Sequence, residues 1–140
     1  MIYAGSMQRL HFSDLSGGPK TKICLTICEE PYLFFLVNSE VTRYIQSRAE
    51  LSDCQVTIDK NNHDFILTHD SYLDCTDAYG IHEDELRSQL KDGRRHPKGN
   101  ASKDVIKNVI IATNKSPKLT PRIQRFILDT LQPLVDHLEI

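Results

Sequence analysis

The hydrophobic period of this 140-residue chain changes once, and that change restricts the folds open to it. Up to Cys75 the apolar residues fall in short, β-rich runs separated by turn signals, whereas from Asp84 onward they recur at helical spacing. Strands gathered in the first part and helices in the last predict an α+β chain. The expected architecture is a small antiparallel sheet or barrel with C-terminal helices covering one of its surfaces.

The first clear strand is Lys22–Cys28 (KICLTIC), which follows the break Gly17-Gly18-Pro19. Glu29-Glu30-Pro31 is a turn, and Tyr32–Asn38 (YLFFLVN) is too short for a typical helix and rich in aromatic residues, so the two runs predict a hairpin with a buried second strand. Val41–Leu51 reads as a short helical turn or loop, Gln55–Ile58 as a short strand, and Tyr72–Cys75 as a strand entered through His69-Asp70-Ser71. Asp84–Leu90 predicts a short helix and Lys91–Gly99 a polar loop. Ser102 is placed to cap a helix running to about Thr113, with Val105, Ile106, Val109 and Ile110 on one face. Thr120 and Pro121 are an N-cap and first-turn pair for a second helix striped by Ile123, Phe126, Ile127 and Leu131.

Charge is sorted along the chain in a way that its net value of −2 conceals. Between Arg94 and Arg125 nine basic residues face one acid, a net of +8, which leaves 8 basic and 18 acidic residues, or −10, elsewhere. A segment of that sign points to a partner of opposite charge, nucleic acid first; its plain alternative is a solvated helix surface. Cys24, Cys28, Cys54 and Cys75 are scattered among apolar residues without zinc-finger spacing, and they read as reduced, buried thiols. Cys24 and Cys28, four apart on one strand, are expected to share a face. Met1–Leu10 has no apolar core of signal-peptide length and no run approaches a membrane span, so a cytoplasmic protein without membrane contact is expected.

Motifs for nucleotide hydrolysis, dinucleotide binding, zinc proteolysis and serine-hydrolase chemistry are missing, which gives those classes no support. No metal or cofactor is expected. His82-Glu83-Asp84-Glu85 reads as the acidic start of a helix rather than a cation site, because consecutive carboxylates there point in different directions. Thr68-His69-Asp70-Ser71 places an imidazole, a carboxylate and a hydroxyl within four residues, although a turn capped by its own side chains explains it as well.

The order of these pieces resembles the PemK/MazF family of toxin endoribonucleases. His11-Phe12-Ser13-Asp14-Leu15-Ser16 with Gly17-Gly18 is similar to the family's opening strand and glycine loop. Lys22-Ile23-Cys24-Leu25-Thr26-Ile27 is similar to its second strand, Leu36-Val37-Asn38-Ser39 to the strand ending in a hydroxyl residue, and Thr68–Cys75 to a late strand containing Asp-Ser. Gly99-Asn100-Ala101-Ser102 resembles the opening of its last helical part. The resemblance spans roughly residues 9–131 and implies a single domain over 1–140, with an SH3-like β-barrel at about 9–80 and a helical part at about 83–138.

It also implies a homodimer that cleaves single-stranded RNA without a metal, through attack of a 2′-OH on the adjacent phosphate, and that is restrained by an antitoxin protein. Lys22 and Ser39 match the family's active-site positions, and His69 is expected to join them as a proton-transfer group. Arg94, Arg95 and Lys98 of the basic segment are expected to contact RNA, with Tyr32, Phe34, Tyr44 and Tyr72 as candidates for base stacking. The chain departs from the family in having Lys22-Ile23 where Arg-Pro is usual and in lacking the Gly-Asp pair before the first strand. Lysine keeps the charge but loses the planar fork that grips a phosphate, so a noncatalytic interaction or RNA-binding module on the same scaffold is the alternative.

Overall fold

A computed structural model describes residues 2–13, 15, 17–91 and 99–136. Its strands are β1 (Ser6–Phe12), β2 (Lys20–Glu29), β3 (Tyr32–Asn38), β4 (Gln55–Ile58), β5 (Ser71–Gly80) and β6 (Gly99–Asn100). Two single-turn helices, α1 (Arg43–Gln46) and α2 (Ala49–Ser52), lie between β3 and β4. Helix α3 (Glu83–Lys91) follows β5, and α4 (Lys103–Lys115) and α5 (Pro121–Asp136) end the described chain. The strands form one curled antiparallel sheet in the order β4-β5-β3-β2-β1-β6, which makes the protein α+β with a half-barrel sheet.

The sheet is buried on both faces, and pleat alternation divides its side chains between two cores. One face sends Met7, Leu25, Phe35, Val37, Val56 and Leu73 against Val105, Ile106 and Val109 of α4 and Ile127, Leu131 and Val135 of α5. The opposite face sends Leu10, Phe12, Cys24, Phe34 and Leu36 toward Ile2, Ile81 and Leu86. There Phe12 and Phe34 meet edge to face, with centroids 5.9 Å apart at 77°.

Burial on two faces explains two differences from the sequence-based expectation. Strand β1 runs from Ser6 to Phe12, so it shares only His11 and Phe12 with the stretch expected to open the barrel, of which Asp14 and Ser16 lie outside the described residues; its residues alternate between two cores, so no apolar/polar rhythm marks it. Gly99 is not a loop residue, because β6 pairs Gly99 and Asn100 with Met7 and Ser6. A Cβ at position 99 would come within 2.6 Å of the Phe65 ring, so any residue but glycine requires that ring to move. A register shift between Thr26 and Cys28 interrupts the pleat of β2, so the spacing of Cys24 and Cys28 does not fix a common face.

Polar groups in the second core satisfy one another. Ser6 and Gln8 of β1 meet Cys24 and Thr26 of β2; Ser6 Oγ donates to Gln8 Oε1 at 2.8 Å, and Gln8 Nε2 donates to Thr26 Oγ1 at 3.1 Å. All four residues are fully buried.

The helices are started as their sequences predict. Ser102 Oγ accepts from Val105 N at 3.3 Å at the head of α4, and Thr120 Oγ1 accepts from Ile123 N at 3.2 Å at the head of α5. Glu83, Asp84 and Glu85 fill the first turn of α3, where carboxylates complement the helix dipole. Among the described residues no helix is long and apolar enough to cross a membrane.

The four cysteines are free and buried. Burial pushes the Cys24 thiol up from 9.0 to about 12, opposed in part by its contact with Gln8, and burial followed by the charge of Asp74 raises Cys75 as well. A thiol held above its unfolded value stabilises the folded state fully below about pH 9 and loses that contribution as pH rises toward 12. The folded protein is therefore expected to leave all four thiols unreacted with an aromatic disulfide reagent at neutral pH, and its urea midpoint is expected to fall from about pH 9 upward. Stoichiometric labelling of the folded protein would contradict this.

Candidate functional site

Antiparallel pairing brings the start of β2, the end of β3 and the start of β5 to the same end of the sheet. A concavity of about 300 Å³ opens there. Thr21, Lys22 and Ile23 come from β2, Val37 and Ser39 from the end of β3, Ser71 from β5, and Arg9 from β1; the segment 66–69 forms the remaining wall. Lys22, Ser39 and His69, which lie far apart in the chain, thus line one site. The lining residues include three basic ones, Arg9, Lys22 and His69, four that carry hydroxyls, and no acid.

His69 is exposed and fixed locally. Its Nδ1 lies 2.9 Å from the Asp70 carbonyl oxygen, a contact that requires a proton on Nδ1 and makes Nε2 of the neutral ring the acceptor. Ser71 Oγ donates to the His69 carbonyl at 3.0 Å and stands 3.4 Å from Nδ1. The Asp70 carboxylate is engaged elsewhere, accepting from Lys60 N at 2.8 Å. Within the four-residue run, Ser71 and the His69 ring bond to local carbonyls while the Asp70 carboxylate caps Lys60, and His69 lines the concavity.

Lys22 stands between two environments. Pleat alternation turns its side chain away from that of Ile23, and its Nζ donates to Asn38 Oδ1 at 2.8 Å. On that side it also lines a second concavity of about 180 Å³ with Lys20, Leu36, Asn38, Asp74 and Tyr79. Burial, and then the charge of Lys20, lower the Lys22 amine below its ordinary value. Burial, and then Asp77 and Asp74, raise the Tyr79 phenol.

Arg94, Arg95 and Lys98 lie outside the described residues. The other six basic residues of the positive segment sit on α4, on α5 and between them, and none of them lines the 300 Å³ concavity. Of the aromatics considered for stacking, Phe34 belongs to the core, whereas Tyr44 is 58% exposed with the Arg48 guanidinium 3.8 Å above its ring. Arg9 and Thr21 were not marked by any motif; alternation along a recognised β1 and β2 is the signal that would have placed them on this face. Among the described residues no group of three or more His, Cys, Asp or Glu is placed to hold a metal ion.

The chain matches no protein-family model, and no curated protein matches it. Fold and site define a small α+β half-barrel protein with a cationic, hydroxyl-rich concavity at one end of its sheet.

Proposed function

We propose that the protein is a toxin-type endoribonuclease that cleaves single-stranded RNA without a metal on a PemK/MazF-like, SH3-like barrel. The observation that carries this reading is the concavity itself: cations and hydroxyls without a carboxylate favour an anion, and a phosphodiester is the anion that the proposed chemistry attacks. Attack of a 2′-OH on its neighbouring phosphate forms the cyclic phosphate and breaks the P–O5′ bond; His69 Nε2 takes the hydroxyl proton and returns it to the leaving 5′-oxygen, and a cation offsets the charge gathering on the phosphate oxygens. Ser39 hydrogen-bonds the phosphate or ribose and orients it. The reading places the protein in the cytoplasm as a homodimer restrained by an antitoxin protein.

Incubating a long single-stranded RNA with the protein in a chelating buffer is expected to yield fragments with 5′-hydroxyl and cyclic phosphate ends. His69→Gln is expected to slow cleavage by about 100-fold. An unchanged rate would remove His69 from the reaction, and RNA left intact by the wild-type protein would remove catalysis altogether.

A noncatalytic RNA-binding module is the second reading, and the hydrogen bond from Lys22 to Asn38 favours it, because that bond occupies the amine away from His69. Salt-dependent RNA binding without new RNA ends is the result that this reading expects.

A further inference from the structure

The sequence directs attention to Lys22 as the cation of the site, yet the sheet places another one there. Arg9 of β1 is the register partner of Ile23, and Met7, two residues earlier, belongs to the core beneath α4 and α5. Two-residue alternation therefore puts the Arg9 side chain on the face of Ile23 and Val37, which is the face that opens into the concavity. Lys22 is the partner of Leu10, whose side chain belongs to the opposite core, and its amine is engaged by Asn38.

The guanidinium also has one backbone contact. Arg9 is half-buried, and its Nη2 donates to the Ile66 carbonyl at 3.4 Å on the wall of the concavity. That bond uses one of five N–H donors and leaves the planar fork available for a two-point contact with phosphate oxygens. No carboxylate neutralises it, since the lining has none and the ion pairs among the described residues are His63–Asp59, His82–Asp84 and Arg87–Glu83. A half-buried arginine without a carboxylate partner and bordered by hydroxyls suits a doubly coordinated oxyanion.

We infer that Arg9, rather than Lys22, is the residue that grips the phosphate in this concavity, and that it supplies from β1 the guanidinium fork that the start of β2 lacks. The phosphate site stands on the geometry above; its use on the scissile phosphate of RNA rests on the function proposed in the preceding section.

Two measurements separate these levels. In the first, inorganic phosphate is titrated into wild-type, Arg9→Ala, Arg9→Lys and Lys22→Ala protein and followed by phosphorus NMR, with thermal melts to establish that each variant folds. Wild-type and Lys22→Ala are expected to bind, Arg9→Ala to lose binding by about tenfold or more, and Arg9→Lys, which keeps the packed stem and the charge, to bind weakly. Failure of wild-type protein to bind phosphate, or equal binding by folded Arg9→Ala, overturns the inference. If Arg9→Ala does not fold, undiminished binding by Arg9→Lys overturns the bidentate role.

In the second, RNA cleavage is compared in the same proteins. Arg9→Ala is expected to lose about 100-fold in rate, at least tenfold more than Lys22→Ala, and to reduce the slope of RNA affinity against salt by about one. A larger loss in Lys22→Ala overturns the assignment of Arg9. Phosphate binding that depends on Arg9 in a protein that neither binds nor cleaves RNA overturns the proposed function and leaves the phosphate site standing.

Discussion

Replacing His63 by alanine is expected to lower the free energy of unfolding by about 3 to 4 kcal/mol, because a fully buried ring is lost and two half-buried backbone groups lose their partners in one step. The His63 ring is fully buried between the turn that follows β4 and the head of α4. Its Nδ1 meets the Asp59 carbonyl at 2.8 Å, and its Nε2 accepts from the Ser102 amide at 3.0 Å. Ser102 is also the N-cap of α4, so the imidazole and the capping hydroxyl secure the same helix start from two directions. Alanine would leave an amide hydrogen and a carbonyl without acceptor and donor, in a space that was filled by a ring. Urea unfolding followed by circular dichroism gives the measurement. A loss below about 1 kcal/mol would mean that water replaces the ring nitrogens, and this account of the α4 anchor would then fail.

Phe35→Ala is expected to cost about 3 to 5 kcal/mol, with an unchanged denaturant slope. Phe35 lies on β3, an inner strand flanked by β5 and β2, opposite Leu25, and it is completely buried in the core shared with α4 and α5. Strands above and below it and helices in front of it restrict collapse around the missing ring, so most of the cavity persists. Ile111→Ala provides the contrast: this side chain is 54% exposed on α4, and a change within about 0.5 kcal/mol is expected. Equal losses at the two positions would contradict the described core.

Legibility of the fold followed the way each element is buried. Strands β3 and β4 occur at the residues that their composition predicts, and α4 and α5 begin at the expected caps, because these signals are local. Strand β5 runs on to Gly80, five residues past Cys75; Thr76–Gly80 mixes the β-formers Thr76 and Tyr79 with Asp77, Ala78 and Gly80, and it pairs with β3 beyond a bulge. A two-residue strand such as β6 has no period to detect. Val41–Leu51, whose mixed pattern allowed either a turn or a loop, holds α1 and all of α2 except its last residue, Ser52.

The site divides along the same line. Lys22 and Ser39 were nominated by the family resemblance and His69 as a proton-transfer group, and all three are among the residues that line one concavity. Which face each side chain takes depends on register, and register is a property of strand pairs. Arg9 became visible only through its pairing with Ile23, and that same pairing separates it from Lys22.

The buried contacts among Ser6, Gln8, Cys24 and Thr26 act as an index mark for assembly of the sheet. Hydrophobic matching alone tolerates a shifted β1, because both faces of the sheet are apolar and Met7, Leu10 and Phe12 find grease on either side. Gln8 does not tolerate it. A slip of one residue would turn its amide into the core beneath α4 and α5, and a slip of two would carry it past Cys24, its present register partner. Either error strands an amide at about 1 to 3 kcal/mol, so four polar side chains penalise the wrong alignments that the greasy ones would accept. Because Arg9 is the next residue after Gln8, the device that proofreads β1 also decides on which side of the sheet the guanidinium arrives.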